Sequence, residues 1–201
     1  MLAKTELRAI YRARREALSL EEQLELNKDI ITNFLSLNLL QDIKSIALYS
    51  AISSRNEIST KQIHTELAIV SDTCKKNVII TYPKCYNDNE IRFHHVSTLS
   101  GDFYLKEGRF GIKEPDSRCP IIGPENIGVC IVPGLVFDVH GHRIGYGMGH
   151  YDRVLQHCNT KKIALAYDFQ VLEEIPYDTY DIPVDLIVTE KRVIHCENIK
   201  T

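Results

Sequence analysis

The chain has 201 residues, of which 44% are hydrophobic and 25% charged, so it is long enough to bury a substantial core and is most simply one domain, 1–201. Its formal net charge of −3 argues against nucleic acid or an anionic membrane as the main partner. No apolar run approaches the length of a membrane span, and the charged amino terminus has no apolar signal core. We therefore expect a cytoplasmic protein that binds neither nucleic acid nor membrane.

The cysteines and histidines give no sign of a structural metal. Neighbouring cysteines lie eleven or more positions apart, so no CxxC pair exists and reduced thiols are expected. Neither histidine pair, His94-His95 or His140-x-His142, matches a zinc motif, and no dedicated zinc site is expected.

The start of the chain is predicted to be helical. Apolar residues at helical spacing predict a helix over 2–18, on which basic residues form a second stripe. Such a stripe is usually a solvated face, but it can bind phosphate where the helix lies across a site. Ser19 followed by Glu22 is a capping box and predicts a second helix. The basic stripe consists of Lys4, Arg8, Arg12 and Arg15.

Short apolar runs predict a sheet in the rest of the chain. Five are typical of buried strands, and Val193-Ile194 is predicted to add an edge strand. Thr60 is predicted to cap a helix, the second strand to close at Tyr82-Pro83, and 84–97 to form a hairpin around an Asn-Asp-Asn turn. Residues 100–128 are predicted to be irregular. The five runs are 45–49, 78–81, 129–132, 163–167 and 186–188.

The order of these elements predicts the fold class. Strands separated by helical segments form βαβ units, whose strands lie parallel in one sheet. We expect an α/β fold of three layers, with a mainly parallel sheet and helices on both faces. In such sheets ligands bind beyond the carboxyl ends of the strands.

A glycine-rich segment follows the third predicted strand and precedes a short predicted helix at 151–157. Glycine allows positive φ and a close approach of the backbone to a ligand, so the segment is a candidate phosphate site. It is no Rossmann loop, because His150 stands where a glycine is needed, and no Lys-Ser/Thr pair makes it a P-loop. A flexible surface connector remains the alternative. The glycines are Gly141, Gly145, Gly147 and Gly149.

Several polar residues follow predicted strand ends and can meet at one edge of the sheet. Arg143 and the loop backbone could hold a polyphosphate, and Asp152 could hold Mg²⁺ directly or through water. Asp185 is an unusual carboxylate directly before an apolar strand. The alternatives are that Asp152 stabilises a first helical turn and that Asp185 belongs to a strand-entry turn. Glu57, Asp168 and Gln170 also follow strand ends and belong to this set, whereas Asp185 does not.

Several short blocks of residues occur in a fixed order across nearly the whole chain. The blocks are Lys4-x-x-Leu7-Arg8, Tyr49 to Thr60, Gly111-Ile112-x-Glu114-Pro115, Val132-Pro133-Gly134-x-x-Phe137-Asp138, Gly141-x-Arg143-Ile144-Gly145-x-Gly147-x-Gly149-x-Tyr151-Asp152-Arg153, Gln170, Ile175-Pro176, Asp181-x-Pro183-Val184-Asp185 and Val188-Thr189-Glu190. Any one block is weak evidence, but their joint order is specific. In this order the chain resembles the 5-formyltetrahydrofolate cyclo-ligase (5,10-methenyltetrahydrofolate synthetase) family.

The resemblance implies a fold like that of the sugar-phosphate isomerase and CoA-transferase group. It also implies an ATP- and Mg²⁺-dependent cyclisation of 5-formyltetrahydrofolate to 5,10-methenyltetrahydrofolate, with release of ADP and phosphate. ATP phosphorylates the formyl oxygen, and the N10 amine then closes on the activated carbon. Catalysis would come from positioning and from neutralisation of phosphate charge.

The resemblance further assigns roles, with Arg143 and Asp152 as catalytic residues and Asp152 and Asp185 as magnesium ligands. Ser50 and Glu57 are implied to bind the folate together with residues 146–150. Many relatives have tyrosine or phenylalanine in place of His150, and some have lysine in place of Met148. The residues implied to bind ATP are Lys4, Arg8, Arg143, Ile144, Gly145, Tyr146, Gly147, Met148, Gly149, His150 and Tyr151.

Two other functions remain open from the sequence. One is an inactive relative that binds folate without turnover, and the other is an isomerase-like enzyme acting on another phosphorylated small molecule. The glycine loop and basic helix favour a nucleotide over a small sugar. A small-molecule substrate and a monomeric protein are expected.

Overall fold

The computed structural model of the protein describes residues 2–37, 39, 42–87, 90–96, 105–108 and 111–197. The helices are α1 Lys4–Glu16, α2 Leu20–Ser36, α3 Lys61–Cys74 and α4 His150–Leu155. The strands are β1 Ser45–Ala47, β2 Ile79–Asn87, β3 Glu90–His95, β4 Leu105–Glu107, β5 Lys113–Pro115, β6 Ile121–Ile122, β7 Val129–Ile131, β8 Val136–Asp138, β9 Arg143–Ile144, β10 Lys161–Leu165, β11 Val171–Leu172, β12 Leu186–Val188 and β13 Val193–His195.

The central sheet has eight strands in the order β13-β12-β10-β7-β1-β2-β3-β6. Its five middle strands, from β12 to β2, are parallel, whereas β13, β3 and β6 pair antiparallel at the two ends. Two smaller sheets, β11-β8-β9 and β4-β5, stand apart from it. The predicted α/β class with a mainly parallel sheet is therefore confirmed, and so is the edge strand at 193–195.

The two faces of the central sheet are covered by different elements. Phe34 of α2 and Leu67 of α3 pack with Ile46 and Ile80 on one face. On the other face, Leu155 of α4 packs with small or short side chains such as that of Ala47. Successive residues of β1 thus point to opposite faces, as the two-residue period of a strand requires.

The first helix packs on the small sheet rather than on the central one. Leu7 and Tyr11 are buried against Val136 and Ile144, so α1 lies over the hairpin formed by β8 and β9. This placement brings the basic stripe of α1 next to the glycine-rich segment. The predicted capping box of α2 is present, because Glu22 N–H donates to Ser19 Oγ at 3.2 Å and Ser19 N–H to Glu22 Oε2 at 2.8 Å.

The second strand was predicted to close at Tyr82-Pro83, but it continues to residue 87. Val96 N–H donates to the Ile80 carbonyl, so these two residues form a hydrogen-bonded pair that continues the pairing of β2 with β3. Hydrogen-bonded and non-hydrogen-bonded pairs alternate along antiparallel strands. Pro83, which lies opposite Phe93, is therefore in a non-hydrogen-bonded pair. The pairing of β2 with β1 ends at Thr81, so on that side too no partner strand needs a hydrogen bond from position 83. A proline at position 83 is therefore tolerated. The predicted hairpin of 84–97 is confirmed for its strands; its turn at 88–89 and residue 97 lie outside the described residues.

Two further predictions need correction. Thr60 precedes α3 but does not cap it: its backbone lacks the extended cap conformation, and its hydroxyl donates to the Tyr49 carbonyl at 2.8 Å. Within 100–128, predicted to be irregular, the described residues include β4, β5 and β6. Strands of two or three residues are too short to show an alternating pattern; 100–104 and 109–110 lie outside the described residues.

None of the helices in the described part of the chain has the length and hydrophobicity needed to cross a lipid bilayer.

Candidate active site

A cleft of about 570 Å³ opens beyond the carboxyl ends of β1 and β7. Three residues of the basic stripe of α1 and the residues that follow β9 are among its lining, as are two aspartates from the segment before β12. Its lining residues include Lys4, Arg8, Arg12, Tyr49, Ser50, Arg55, Glu57, Glu114, Pro133, Arg143, Ile144, Gly145, Tyr146, Gly147, Met148, Gly149, His150, Tyr151, Asp152, Asp178 and Asp181.

The glycine-rich segment and α1 contact each other directly at the cleft. Arg8 Nε donates to the Gly145 carbonyl at 2.9 Å. Gly147 has a φ of +97°, and a Cβ at this position would lie 3.6 Å from the Arg8 guanidinium carbon. The left-handed backbone therefore lets the loop turn beneath the arginine without a side chain between them.

Arg143 and Asp152 form an ion pair at the end of this loop. Arg143 Nη2 donates to Asp152 Oδ1 at 2.6 Å, and the backbone N–H of Ile182 donates to the same oxygen at 3.2 Å. Arg143 is only 7% exposed, so its charge is largely removed from water. Its Nε is buried and has no hydrogen-bond partner among the described residues.

Two other buried polar atoms beside the cleft are also unpartnered within the described part of the chain. They are the hydroxyl oxygens of Ser50 and Tyr151. Burial raises the pKa of Tyr151 well above its ordinary value, so the hydroxyl keeps its proton. Because an unpaired buried polar group costs about 1–3 kcal/mol, three such groups around one cleft indicate that a polar ligand belongs there.

Glu57 is buried in the same cleft with both carboxylate oxygens engaged. Tyr146 Oη donates to Oε1 at 2.8 Å, and the Ile52 N–H donates to Oε2 at 2.9 Å. Burial raises the pKa of Tyr146, and the negative charge of Glu57 raises it further. Tyr146 therefore stays protonated and holds the loop against the carboxylate.

Arg15 joins this network from α1 and is itself buried. Its guanidinium donates to Tyr146 Oη, to the Arg55 carbonyl at 2.7 Å and to the Gly134 carbonyl at 3.3 Å. It also lies 3.6 Å from Glu57 Oε1. One side chain of α1 thus fixes three other segments that line the cleft.

Lys4 is held by two carboxylates at the opposite end of α1. Its Nζ lies 2.6 Å from Asp178 Oδ2 and 2.5 Å from Asp181 Oδ2. Partial burial alone would lower its pKa, but the hydrogen bonds to both aspartates outweigh burial and raise it. Lys4 is therefore charged and joins α1 to the segment before β12.

Comparison with known proteins identifies the family of the chain. The model of the 5-formyltetrahydrofolate cyclo-ligase family matches residues 1–190. The chain belongs to the 5-formyltetrahydrofolate cyclo-ligase family. It is therefore an enzyme of this ligase class, and the predicted family is confirmed.

Individual relatives agree with this membership. The 5-formyltetrahydrofolate cyclo-ligase of Haemophilus influenzae is 32% identical over 190 residues, covering 92% of this chain and 95% of that protein. The cyclo-ligase of Mus musculus is 29% identical over 198 residues and 94% of each chain. The NMR structure of Aquifex aeolicus 5,10-methenyltetrahydrofolate synthetase superposes with a TM-score of 0.82 at 34% identity, covering 100% of this chain and 96% of that one.

The cleft contains nearly all the residues that resemblance to the cyclo-ligase family implied. Lys4, Arg8 and residues 143–151, predicted to bind ATP, line it together. So do Ser50 and Glu57, predicted to bind folate, and Asp152, predicted to bind magnesium. The structure thus brings these residues to one place, while their individual roles remain predictions.

Asp185 is the exception among the predicted cyclo-ligase residues, because it does not line the cleft. It accepts a hydrogen bond from Lys162 N–H at 2.7 Å and lies 3.2 Å from Lys162 Nζ. A residue directly before a parallel strand lies at the amino edge of the sheet, whereas the cleft lies at the carboxyl edge. This position contradicts the expectation that Asp185 meets Asp152 at the site.

Asp152 is the cleft carboxylate predicted to bind magnesium. Across the described residues, no group of three or more acidic, histidine or cysteine side chains could hold a metal by itself. Magnesium, however, needs only one or two carboxylates when phosphate oxygens and water complete its shell. Asp152 fits, because its Oδ2 accepts no hydrogen bond from the described residues and the side chain is 23% exposed.

The predicted basic stripe contributes Arg12 to the cleft, and Arg15 of the same stripe is buried next to it. Other residues of the cleft were not predicted. Arg55 lies in a short 3-10 turn, and Asp178 and Asp181 lie in an irregular segment; no local pattern indicates their approach to the cleft.

Proposed function

We propose that the protein uses ATP and Mg²⁺ to convert 5-formyltetrahydrofolate to 5,10-methenyltetrahydrofolate in this cleft. The observation that carries the proposal is the buried Arg143, paired with Asp152 and with its Nε unpartnered among the described residues. A buried guanidinium with a free donor suits an anionic ligand, and a planar fork matches phosphate oxygens.

The position of each charged residue in the cleft suggests its role toward the phosphates and the metal ion. Arg8 and Arg143 neutralise phosphate charge beside the glycine loop, where Arg8 already contacts Gly145. Asp152 holds the metal ion, which neutralises phosphate charge and orients the transferred group when bound. Lys4 uses two of its three N–H donors on Asp178 and Asp181, so a third remains for a phosphate oxygen.

Glu57 is placed to accept hydrogen bonds from the N–H edge of the pterin. Its two oxygens each accept one hydrogen bond from the protein, and each keeps a second lone pair. The network of Arg15 and Tyr146 fixes the direction of the carboxylate. The unpartnered Ser50 hydroxyl supplies a further polar contact for the substrate.

The reaction itself asks little proton chemistry of the protein. The formyl oxygen takes the terminal phosphoryl group of ATP as the bond to ADP breaks, and N10 then attacks the formyl carbon. Phosphate leaves with the C–O electron pair, and N10 loses its proton. Positioning both substrates and neutralising phosphate charge are therefore the main demands on the cleft.

Turnover of the purified protein tests the proposal. With ATP, Mg²⁺ and 5-formyltetrahydrofolate, methenyl-folate absorbance should appear with one ADP formed per product. Arg143→Ala should lose this activity, whereas Arg14→Ala, on the same helix as Arg8 but stacked on Phe169 away from the cleft, should retain it.

Other outcomes would favour the alternative functions. Folate binding without product under saturating ATP and Mg²⁺ would indicate an inactive binding relative. Absence of both product and folate binding would contradict the proposal and favour an enzyme for a different phosphorylated small molecule.

A further inference from the structure

The positive charges of the cleft are not all neutralised. Lys4 pairs with Asp178 and Asp181, Arg143 with Asp152, and Arg15 with Glu57. Besides Arg8, which donates to the Gly145 carbonyl, Arg12 and Arg55 line the cleft without an ion-pair partner among the residues that the structure describes. Cationic side chains that converge without carboxylates favour the binding of an anion.

These two arginines come from different elements and meet at one aromatic ring. The guanidinium carbon of Arg12, on α1, lies 5.5 Å from the centroid of Tyr146, and that of Arg55, from the turn before Glu57, lies 4.7 Å from it. An arginine held over an aromatic ring is fixed in place, and the N–H groups that it does not use on the ring residue stay available for a ligand.

The ring between them is itself fixed. The Tyr146 hydroxyl donates to Glu57 and accepts from Arg15, so the platform cannot turn without breaking a buried network. Arg12 lies one helical turn from Arg8, a rise of about 6 Å along the same face of α1. Together Arg8, Arg12 and Arg55 extend the positive charge from the glycine loop toward Glu57.

We propose that Arg12 and Arg55 form a second anion subsite, distinct from the Arg8–Arg143 end, which binds an oxyanion group of a substrate. The inference rests on the proposed function, because that function supplies two sources of such a group. One is a phosphate of ATP, and the other is a carboxylate of the glutamate tail of the folate. Both present oxygens that a guanidinium binds through paired hydrogen bonds.

Direct binding measurements test the subsite separately from turnover. Dissociation constants would be measured by calorimetry for ATP and for 5-formyltetrahydrofolate with one and with three glutamates. Arg12→Ala and Arg55→Ala should each weaken binding of one ligand about tenfold, the scale of one charge-assisted hydrogen bond. The salt dependence of that ligand's affinity should become shallower, because an ionic contact is lost.

The ligand affected identifies the source of the oxyanion. Weaker binding of ATP alone assigns the subsite to a phosphate. Weaker binding of the folate, with a larger loss for three glutamates than for one, assigns it to the tail carboxylates. Arg12→Lys and Arg55→Lys keep the positive charge but lose the planar guanidinium. Their affinities for the ligand should lie between those of the wild type and of the alanine variants.

Arg14→Ala is the matched control, since Arg14 stacks on Phe169 outside the cleft. Unchanged dissociation constants for both ligands in Arg12→Ala and Arg55→Ala would overturn the proposal. A loss of affinity in Arg12→Ala and Arg55→Ala no greater than that in Arg14→Ala would also overturn it. If the wild type binds these ligands but forms no product, the proposed function fails while the subsite is still decided by binding.

Discussion

Arg143 Nη2 lies 2.6 Å from Asp152 Oδ1, and the other carboxylate oxygen, Oδ2, accepts no hydrogen bond from the described residues. The pair therefore provides both a buried cation for phosphate and an oxygen for a metal ion. Asp152→Asn should keep the hydrogen bonds to Oδ1 and the fold, but lose the charge that favours magnesium. We expect turnover to fall roughly 10- to 100-fold and the Mg²⁺ requirement to rise.

Asp185→Asn is the comparison that decides between the sequence prediction and the structure. Asp185 is bound to Lys162 away from the cleft, so its replacement should leave the Mg²⁺ dependence of turnover as in the wild type. A magnesium titration of both variants measures this. A rise in the Mg²⁺ requirement of Asp185→Asn equal to that of Asp152→Asn would contradict the placement.

Arg8→Ala should raise the KM for ATP about tenfold and the KM for folate less. Arg8 lies over Gly147 and donates to the Gly145 carbonyl, so its loss removes a charge next to the predicted phosphate site. Initial rates at varied ATP and at varied folate separate the two constants. Equal effects on both would instead indicate that Arg8 merely supports the shape of the loop.

Arg15→Ala should destabilise the protein by about 3–5 kcal/mol, because it leaves the buried Glu57 without its cation. Urea denaturation gives the free energy of unfolding. Arg15→Lys should recover part of the loss. An unfolding free energy within error of the wild type for Arg15→Ala would show that the buried network contributes nothing to stability.

Gly141→Ala should be more destabilising than Gly111→Ala. Both glycines have positive φ, +94° and +68°, so alanine at either costs about 1–2 kcal/mol in backbone strain. Only at Gly141 would the new Cβ also lie 2.3 Å from a backbone atom, the Val184 carbonyl oxygen; around Gly111 no atom of the described residues lies within 4 Å. Thermal and urea unfolding of the two variants should differ, and equal losses would contradict the predicted clash.

The free energy of unfolding should fall as the pH rises from about 9. Burial raises the pKa of Cys158 to about 11 and that of Cys196 to about 12, from an ordinary 9.0. Between these values the unfolded chain loses thiol protons that the folded chain keeps, so the stabilisation is complete below pH 9 and is lost up to about 12. Unfolding of the Cys158→Ala/Cys196→Ala variant should show a shallower alkaline slope than the wild type.

The sequence predicted the parts of the fold that rest on local periodicity. The apolar run 45–49 and the capping box at Ser19 are local patterns, and the structure has a strand at Ser45–Ala47 and a helix after Ser19. Pro83 was misread because a proline is tolerated within a strand only by its place in the register, which depends on partners far along the chain.

In the site, too, the features that depend on a local pattern were predicted and those that depend on contacts between distant segments were not. Arg143 and Asp152 stand in one short segment whose residue types carry the chemistry, so their proximity was predictable. The convergence of Arg12 and Arg55 on Tyr146 joins three segments distant in sequence, and no local pattern specifies it. Asp185 shows the reverse case: its residue type suggested a ligand, but strand direction places it at the other edge of the sheet.

The contact of Lys4 with Asp178 and Asp181 joins residues 174 and 177 positions apart. During synthesis α1 is made before Ile144 and Ile175, which cover its apolar side. The nascent chain therefore carries an uncovered amphipathic helix until these later segments have been made. Such a segment is a natural target for a chaperone, and the cleft cannot form before the segment with Asp178 and Asp181 exists.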